Sequence, residues 1–274
     1  TESGAYIYNL RTGKYTHLRS SEYDPYSLSD NAIYSFCKDR EDGIWIGSYF
    51  GGVNYYPRSY THFEKYYPKG EENSLHGKRV REFCRDNYGV LWIGTEDGGL
   101  NRFNLNTKEF SFFAPSAGFT NIHGLCLVDD KLWVGTFSKG LKIIDTRTGT
   151  VLKTYQKNSS PRSLIDNSIF AICRTATGDI YLGTMFGLVK YNKQSDDFDR
   201  IPELNGKFVY DIKEDSGGNI WLATYANGAY CYNVNDRKWK NYVHDEKDTT
   251  SLSYNKVSSI FEDSYHRIWL TTQG

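Results

Sequence analysis

The side chains able to do chemistry are few, and most share no spacing. Six histidines (His17, His62, His76, His123, His244 and His266) are scattered, and among them His123 alone falls in an apolar run of inner-strand type. Glu82 and Asp211 each stand ten residues ahead of a tryptophan, Trp92 and Trp221, so they occupy one phase of a recurring pattern. A histidine and two carboxylates facing one axis could serve as base and metal ligands, but no second histidine accompanies them. The five cysteines show no CxxC or Cys/His spacing that would hold zinc. Cys37, Cys84 and Cys173 lie eight residues before an anchor aromatic and Cys126 seven, while Cys231 lies on another element. Equivalent positions of neighbouring elements are too far apart for a disulfide, which needs Cα atoms about 4.4–6.8 Å apart. They read as small buried hydrophobes. No catalytic residue, metal or cofactor is assigned.

The elements that would position such groups repeat. Ile44-Trp45-Ile46-Gly47-Ser48 returns as Leu91–Thr95, Leu132–Thr136, Ile180–Thr184, Ile220–Thr224 and Ile268–Thr272, with Tyr181 in place of Trp in the fourth copy. The aromatic positions are separated by 47, 41, 48, 40 and 48 residues. A period in the forties marks a repeat architecture. Ahead of each anchor lies an apolar stretch (Ile33–Cys37, Val80–Cys84, Ile122–Val128, Ile169–Cys173, Val209–Lys213, Val257–Phe261), and after it a Gly-rich turn and a third strand. A more polar fourth strand is expected at Phe63–Tyr67, Val151–Tyr155 and Trp239–Val243. Four antiparallel strands per unit make a propeller blade. The fold class is all-β, a β-propeller of four-stranded antiparallel blades with six repeat units over residues 1–274. Each anchor Trp is expected to pack between neighbouring sheets.

Composition agrees with one such array. The 274 residues carry zero formal net charge, 39% hydrophobic residues and 16% aromatics. Charge balance argues against a nucleic-acid surface, because no excess of Lys and Arg is there to displace counterions. No apolar run approaches the roughly 20 residues of a membrane span. Thr1 opens in mid-repeat and Gly274 closes in mid-repeat, so the chain reads as a propeller, or part of one, cut in mid-blade at both ends, with no signal peptide.

The motif Asp-x-x-Gly-x-Leu-Trp-Ile-Gly-Thr-x-x-Gly-Gly-Leu-x-x-Tyr-Asn, preceded by Ser251-Leu-Ser-Tyr-Asn-Lys-Val257, resembles the two-component regulator propeller repeat over nearly the whole chain. That resemblance implies the periplasmic sensor region of a Bacteroidetes hybrid two-component system. It also implies sensing of oligosaccharides, further propeller and signalling domains in the same chain, and a homodimer. The family's seven-bladed rings make these six units an expected excerpt of a seven-bladed ring, with the edges Ala5–Tyr8 and Ile268–Thr271 kept apart; a six-bladed closure would instead pair those two strands antiparallel. Four units carry polar inserts marked Ser-Leu (Ser27-Leu28, Ser74-Leu75, Ser163-Leu164, Ser251-Leu252). Asp39, Asp86, Asp215 and Asp263 are similar to the sialidase Asp-box but differ in spacing to Trp, and are expected to bond the backbone of their turn.

Chain direction places the turn between second and third strands on the same face as the inserts. Those turns hold Tyr49-Phe50, Glu96, Phe137, Lys139, Phe186, Tyr225 and Asn227, and the starts of the inner strands add Arg79, Arg81, His123, Asn167, Tyr210 and Asn255. A tight turn asks only for Gly, Asn or Asp, so its aromatics are in excess of what the hairpin requires. Flat rings suit the C–H surface of a sugar, and Arg, Asn and carboxylates suit its hydroxyls or an acidic substituent. The expected ligand site is Tyr49, Phe50, Arg79, Arg81, Glu96, His123, Phe137, Lys139, Phe186, Tyr210, Tyr225 and Asn227. Three functions fit: an oligosaccharide sensor without catalysis of its own, an interaction propeller that docks a partner, and a propeller lyase using inner-facing His and Glu with a metal.

Overall fold

The second strand of every repeat forms where the anchor motif lies. The computed structural model describes residues 2–58, 64–70, 72–113 and 118–273, which are antiparallel strands apart from loops and one short 3-10 turn at Pro202–Leu204. Two compact units divide the chain, residues 1–75 and 76–274. In the first unit β1 (Ala5–Tyr8) and β2 (Tyr15–Leu18) form one sheet. A second sheet contains β3 (Ile33–Lys38), β4 (Ile44–Ser48) and β5 (Val53–Tyr56).

The second unit opens with the sheet β6 (Val80–Arg85), β7 (Val90–Thr95), β8 (Gly99–Asn104) and β9 (Phe110–Phe113). Next is β10 (Ile122–Val128), β11 (Lys131–Thr136), β12 (Leu141–Asp145) and β13 (Val151–Tyr155). A third blade has β14 (Ile169–Arg174), β15 (Ile180–Thr184), β16 (Gly187–Asn192) and β17 (Asp197–Arg200). The fourth has β18 (Val209–Glu214), β19 (Ile220–Thr224), β20 (Ala229–Asn233) and β21 (Lys238–Tyr242), and β22 (Val257–Glu262) pairs with β23 (Ile268–Thr272) as a two-stranded sheet. Sequential antiparallel meanders of this kind are propeller blades.

In the three inner blades of the second unit the anchor strands are apolar on both faces because each sheet is stacked between two others. Trp92 packs on the following blade, against Leu125, Leu132, Val134 and Ile144. Trp133 repeats the arrangement against Ile169, Ile180 and Leu182. The glycine of the anchor lets the sheets close up: a Cβ on Gly94 would lie 2.6 Å from Ile122 Cγ2, and one on Gly183 2.8 Å from Val209 Cγ1. An aspartate in the first turn of four blades holds the indole. Asp86 Oδ2 accepts from Trp92 Nε1 at 2.9 Å while its Oδ1 accepts from the Tyr88 and Val90 amides at 2.8 and 2.9 Å. The same indole bond joins Asp39 to Trp45, Asp215 to Trp221 and Asp263 to Trp269 at 3.1, 2.8 and 2.8 Å. The aspartates therefore bond the turn, as expected, and the ring as well.

Two expectations need correction. The fourth strand placed at 63–67 does not form over residues 64–67, and residue 63 lies outside the described residues. There Lys65 lies over the Tyr26 ring at 3.9 Å and Tyr67 meets Tyr26 edge-on at 5.6 Å, so this stretch packs on the insert. Nor does every anchor Trp pack between sheets. Trp92 is fully buried, whereas Trp45 is 44% and Trp269 54% exposed. Each of these two lies on the last sheet of its unit, with no following sheet of that unit on its indole face. All five cysteines are free; Cys231 is buried, Cys84, Cys126 and Cys173 are half-buried, and Cys37 is exposed.

Candidate functional site

Each first strand bulges at one fixed place. The register slips between Ile33 and Ser35, Val80 and Glu82, Ile122 and Gly124, Ile169 and Ala171, Val209 and Asp211, and Val257 and Ser259. The unpaired residues are Tyr34, Arg81, His123, Phe170, Tyr210 and Ser258. A bulge bends its strand and re-aims the extra side chain. Here the backbone beside it is tied to the turn between second and third strands. Glu96 donates its amide to Arg79 O at 2.9 Å, Phe137 to Asn121 O at 3.0 Å and Tyr225 to Phe208 O at 3.0 Å. Every blade thus offers a bulge residue and a turn residue side by side, on a scaffold that does not depend on what they are.

In the second unit these pairs converge. Phe170 lies 4.6 Å from the His123 ring, 4.4 Å from Phe208 and 5.6 Å from Tyr210. Phe137 closes on His123 and Phe170 at 6.0 Å each, and Phe208 stacks on Tyr225 at 5.5 Å. Arg81 reaches from β6 to β18, where its Nη1 and Nη2 donate to Tyr210 Oη at 3.3 Å each. Glu96 pairs with Arg81 at 3.5 Å and with Arg79 at 3.7 Å. The result is an aromatic cluster, buried at Phe170 and His123 and exposed at Phe137 and Tyr225, with one cationic end.

Two titratable groups are displaced by this setting. Burial, and then the nearby Arg81 charge, push His123 down to about 4, so its imidazole is neutral at neutral pH. It is 5% exposed, and its Nδ1 has no hydrogen-bond partner. Burial, and then the charge of Asp211, push Glu82 up to about 7. Asp211 itself accepts from the Ile260 amide at 2.9 Å and from Ser259 Oγ at 3.2 Å, tying β18 to β22.

Of the twelve site residues expected from the sequence, the structure brings together Arg79, Arg81, Glu96, His123, Phe137, Tyr210 and Tyr225. Tyr49 and Phe50 belong to the first unit, where Tyr49 stacks on the bulge residue Tyr34 at 5.0 Å. Lys139 and Asn227 close their turns by donating backbone amides to Thr136 and Thr224 Oγ1, at 2.9 and 3.0 Å, and their side chains are exposed. Phe186 is also exposed, in its own turn. Asn167 and Asn255 are structural. Their Oδ1 atoms accept from the Lys157 and His244 amides at 2.7 and 2.8 Å, and their carbonyls accept from Gly140 and Gly228 of the preceding blade. Phe170 and Phe208 were missed, since both read as ordinary members of an apolar strand. The signal was the column eleven residues before the Trp or Tyr anchor, where Tyr34, Arg81, Phe170, Tyr210 and Ser258 differ in chemistry; His123 sits ten before its own.

The first unit holds a cavity of about 890 Å³ on its flank, lined among others by Tyr26, Tyr55, Tyr56 and Tyr67. It adjoins the stretch where the outer strand is missing.

Comparison with known proteins bears on the repeat and the fold. The family model for the two component regulator propeller matches residues 27–50, 74–97, 203–226 and 251–274. Over 150 residues, 55% of this chain, it is 25% identical to histidine kinase P4 of Formosa agariphila. Its fold is similar to the extracellular domain of the hybrid two component system BT3049 from B. thetaiotaomicron, with TM-score 0.64 and 21% identity over the whole chain. It is also similar, at TM-score 0.53 and 13% identity over 97% of its length, to a catalytically inactive virginiamycin B lyase from Staphylococcus aureus, 83% of which is covered. The chain spans 8% of the Formosa kinase and 36% of the BT3049 domain. The fold is a β-propeller, and four segments of the chain match the two component regulator propeller model.

Proposed function

We propose that this chain is the extracytoplasmic, non-catalytic ligand-sensing part of a hybrid two-component regulator, and that it binds an oligosaccharide at the bulge-and-turn surface. The observation that carries this reading is the convergence of Phe170, Phe208, Tyr210 and Tyr225 beside Arg81. Aromatic faces with a few placed polar groups are what a ligand site of moderate size uses. The likeness to the extracellular domain of a hybrid two component system and to a histidine kinase supports the sensing role. Among the described residues no helix is long and apolar enough to cross a membrane, a statement that leaves β-barrels aside.

A lyase reading has less behind it. His123 is enclosed by aromatic rings rather than set against a carboxylate, and Asp211 is engaged with β22. The interaction reading draws on exposed aromatics at Tyr34, Phe36, Phe261 and Trp269, which would suit further propeller domains or a second copy of the chain. Thermal-shift screening of the purified chain against a glycan-fragment library separates these. A sensor gives a saturable shift with one fragment class, and in Tyr225→Ala that shift needs about tenfold more fragment. No shift with any fragment, together with a concentration-dependent dimer, would favour the interaction reading.

A further inference from the structure

We propose that the oligosaccharide taken at this surface carries an anionic substituent, a carboxylate or a sulfate, seated between Arg79 and Arg81. The inference rests on the sensing reading above and names its ligand class.

Among the described residues, one carboxylate stands within ion-pair reach of both arginines. Arg79 and Arg81 share the single carboxylate of Glu96, at 3.7 and 3.5 Å. Both distances exceed the roughly 2.7–2.9 Å of a charge-assisted hydrogen bond. Asp97, whose charge also reaches Arg79, gives its oxygens to the backbone rather than to a guanidinium: its Oδ1 accepts from the Lys78 and Arg79 amides at 2.9 and 3.1 Å. Lys256 adds a third cation, 4.5 Å from the centroid of the Tyr225 ring.

Arg81 is the more telling of the two guanidiniums. Its side chain is 26% exposed, so much of its hydration is already lost. Both Nη atoms reach one phenol oxygen at 3.3 Å, a long and weak arrangement for a group with five N–H donors. An anionic oxygen would accept from the same edge at closer range, with Arg79 (76% exposed) closing from the solvent side. The sugar ring would then lie over Phe208 and Tyr225. His123, buried behind Phe170 and Phe137, supports this surface from beneath.

The test is calorimetry of the purified chain with matched probes. One pair is a hexuronate tetrasaccharide and the same compound with its carboxylates reduced to alcohols. The other pair is a sulfated disaccharide and its desulfated form. One acidic probe should bind at least about tenfold more tightly than its neutral partner, the loss expected for one charge-assisted contact. Arg81→Gln and Arg79→Gln should each remove that preference without moving the melting temperature, and added salt should weaken the acidic probe alone. Equal binding of acidic and neutral partners, or a preference that survives both arginine changes, overturns the anionic ligand and leaves the sensing reading standing. No binding by these probes or by any member of the glycan library overturns both.

Discussion

Two columns of residues run through this propeller, and they answer to different demands. One is the anchor column, in which Asp86 and Trp92, Asp215 and Trp221, and Asp263 and Trp269 make the same bond in each blade. The other is the bulge column, where Arg81, His123, Phe170, Tyr210 and Ser258 share a backbone and nothing else. The anchor works by filling the space between sheets, so its shape and its donor are constrained by the neighbouring blade. The bulge works by pushing a side chain out of the ladder, so its chemistry is free. Separating the two lets a repeat array vary the side chains at its bulges without disturbing its stacking.

The largest effect should come from breaking the anchor where it is covered. Trp92→Ala should cost about 3–5 kcal/mol, as a large buried aromatic does, and about 2–4 °C of melting temperature per kcal/mol. Trp269→Ala, at an exposed copy of the same position, should cost under about 1 kcal/mol by chemical denaturation. Equal losses at both would mean that the indole does its work within its own blade.

Next in size is the aspartate. Asp86→Ala leaves the Trp92 indole and two turn amides without an acceptor in a buried site, an expected loss of about 1–3 kcal/mol. The same change at Asp263, which is partly open to solvent, should cost less because water can replace it. Urea midpoints of the two variants decide the order.

In the turn beside the bulge residue Tyr210, Tyr225→Ala should weaken the ligand about tenfold while shifting the melting temperature by no more than about 2 °C, since Tyr225 is 45% exposed. An unfolding defect without a binding defect would assign Tyr225 to the anchor's kind of work.

The smallest expected effect is a pH slope. Glu82 titrates near 7 in the fold because burial, and then Asp211, disfavour its charge, against an ordinary value of 4.5. Between those two values the folded chain holds the proton more tightly, so this group's contribution to stability falls as pH rises from about 4.5 to about 7. Glu82→Gln should therefore gain on the parent over that window and run parallel to it above. His123 acts oppositely: burial, then Arg81, lower it from 6.5 to about 4, so its contribution rises with pH between those values. Melting curves of the single variants across pH 4–8 separate the two.

The anchor column was legible because an aromatic flanked by aliphatic residues is a packing statement, repeated six times with one Tyr and followed by Gly in four copies. The bulge column was half legible. Arg81, His123 and Tyr210 stood out as polar or amphipathic residues in apolar runs. Phe170 did not, because Ile169-Phe170-Ala171 reads as unbroken strand and only the register shows which residue is extra. Asn167 and Asn255 misled in the opposite sense. An Asn near a strand start looks like a ligand group, yet its carboxamide closes the insert and its carbonyl ties down the preceding blade. Residues 64–67 failed as a strand because their side chains are engaged by the insert rather than by a ladder.

The claim that recognition lives in the bulge column is tested most directly by hydrogen exchange of the chain with and without the oligosaccharide found by screening. Protection should rise in peptides covering 79–82, 121–124, 168–171 and 208–211 and in the turns at 96–98, 137–139 and 225–227. Peptides at the opposite ends of the strands, 86–90 and 215–219, should exchange unchanged. Protection confined to those opposite turns, with the bulge segments unaffected, would contradict the account.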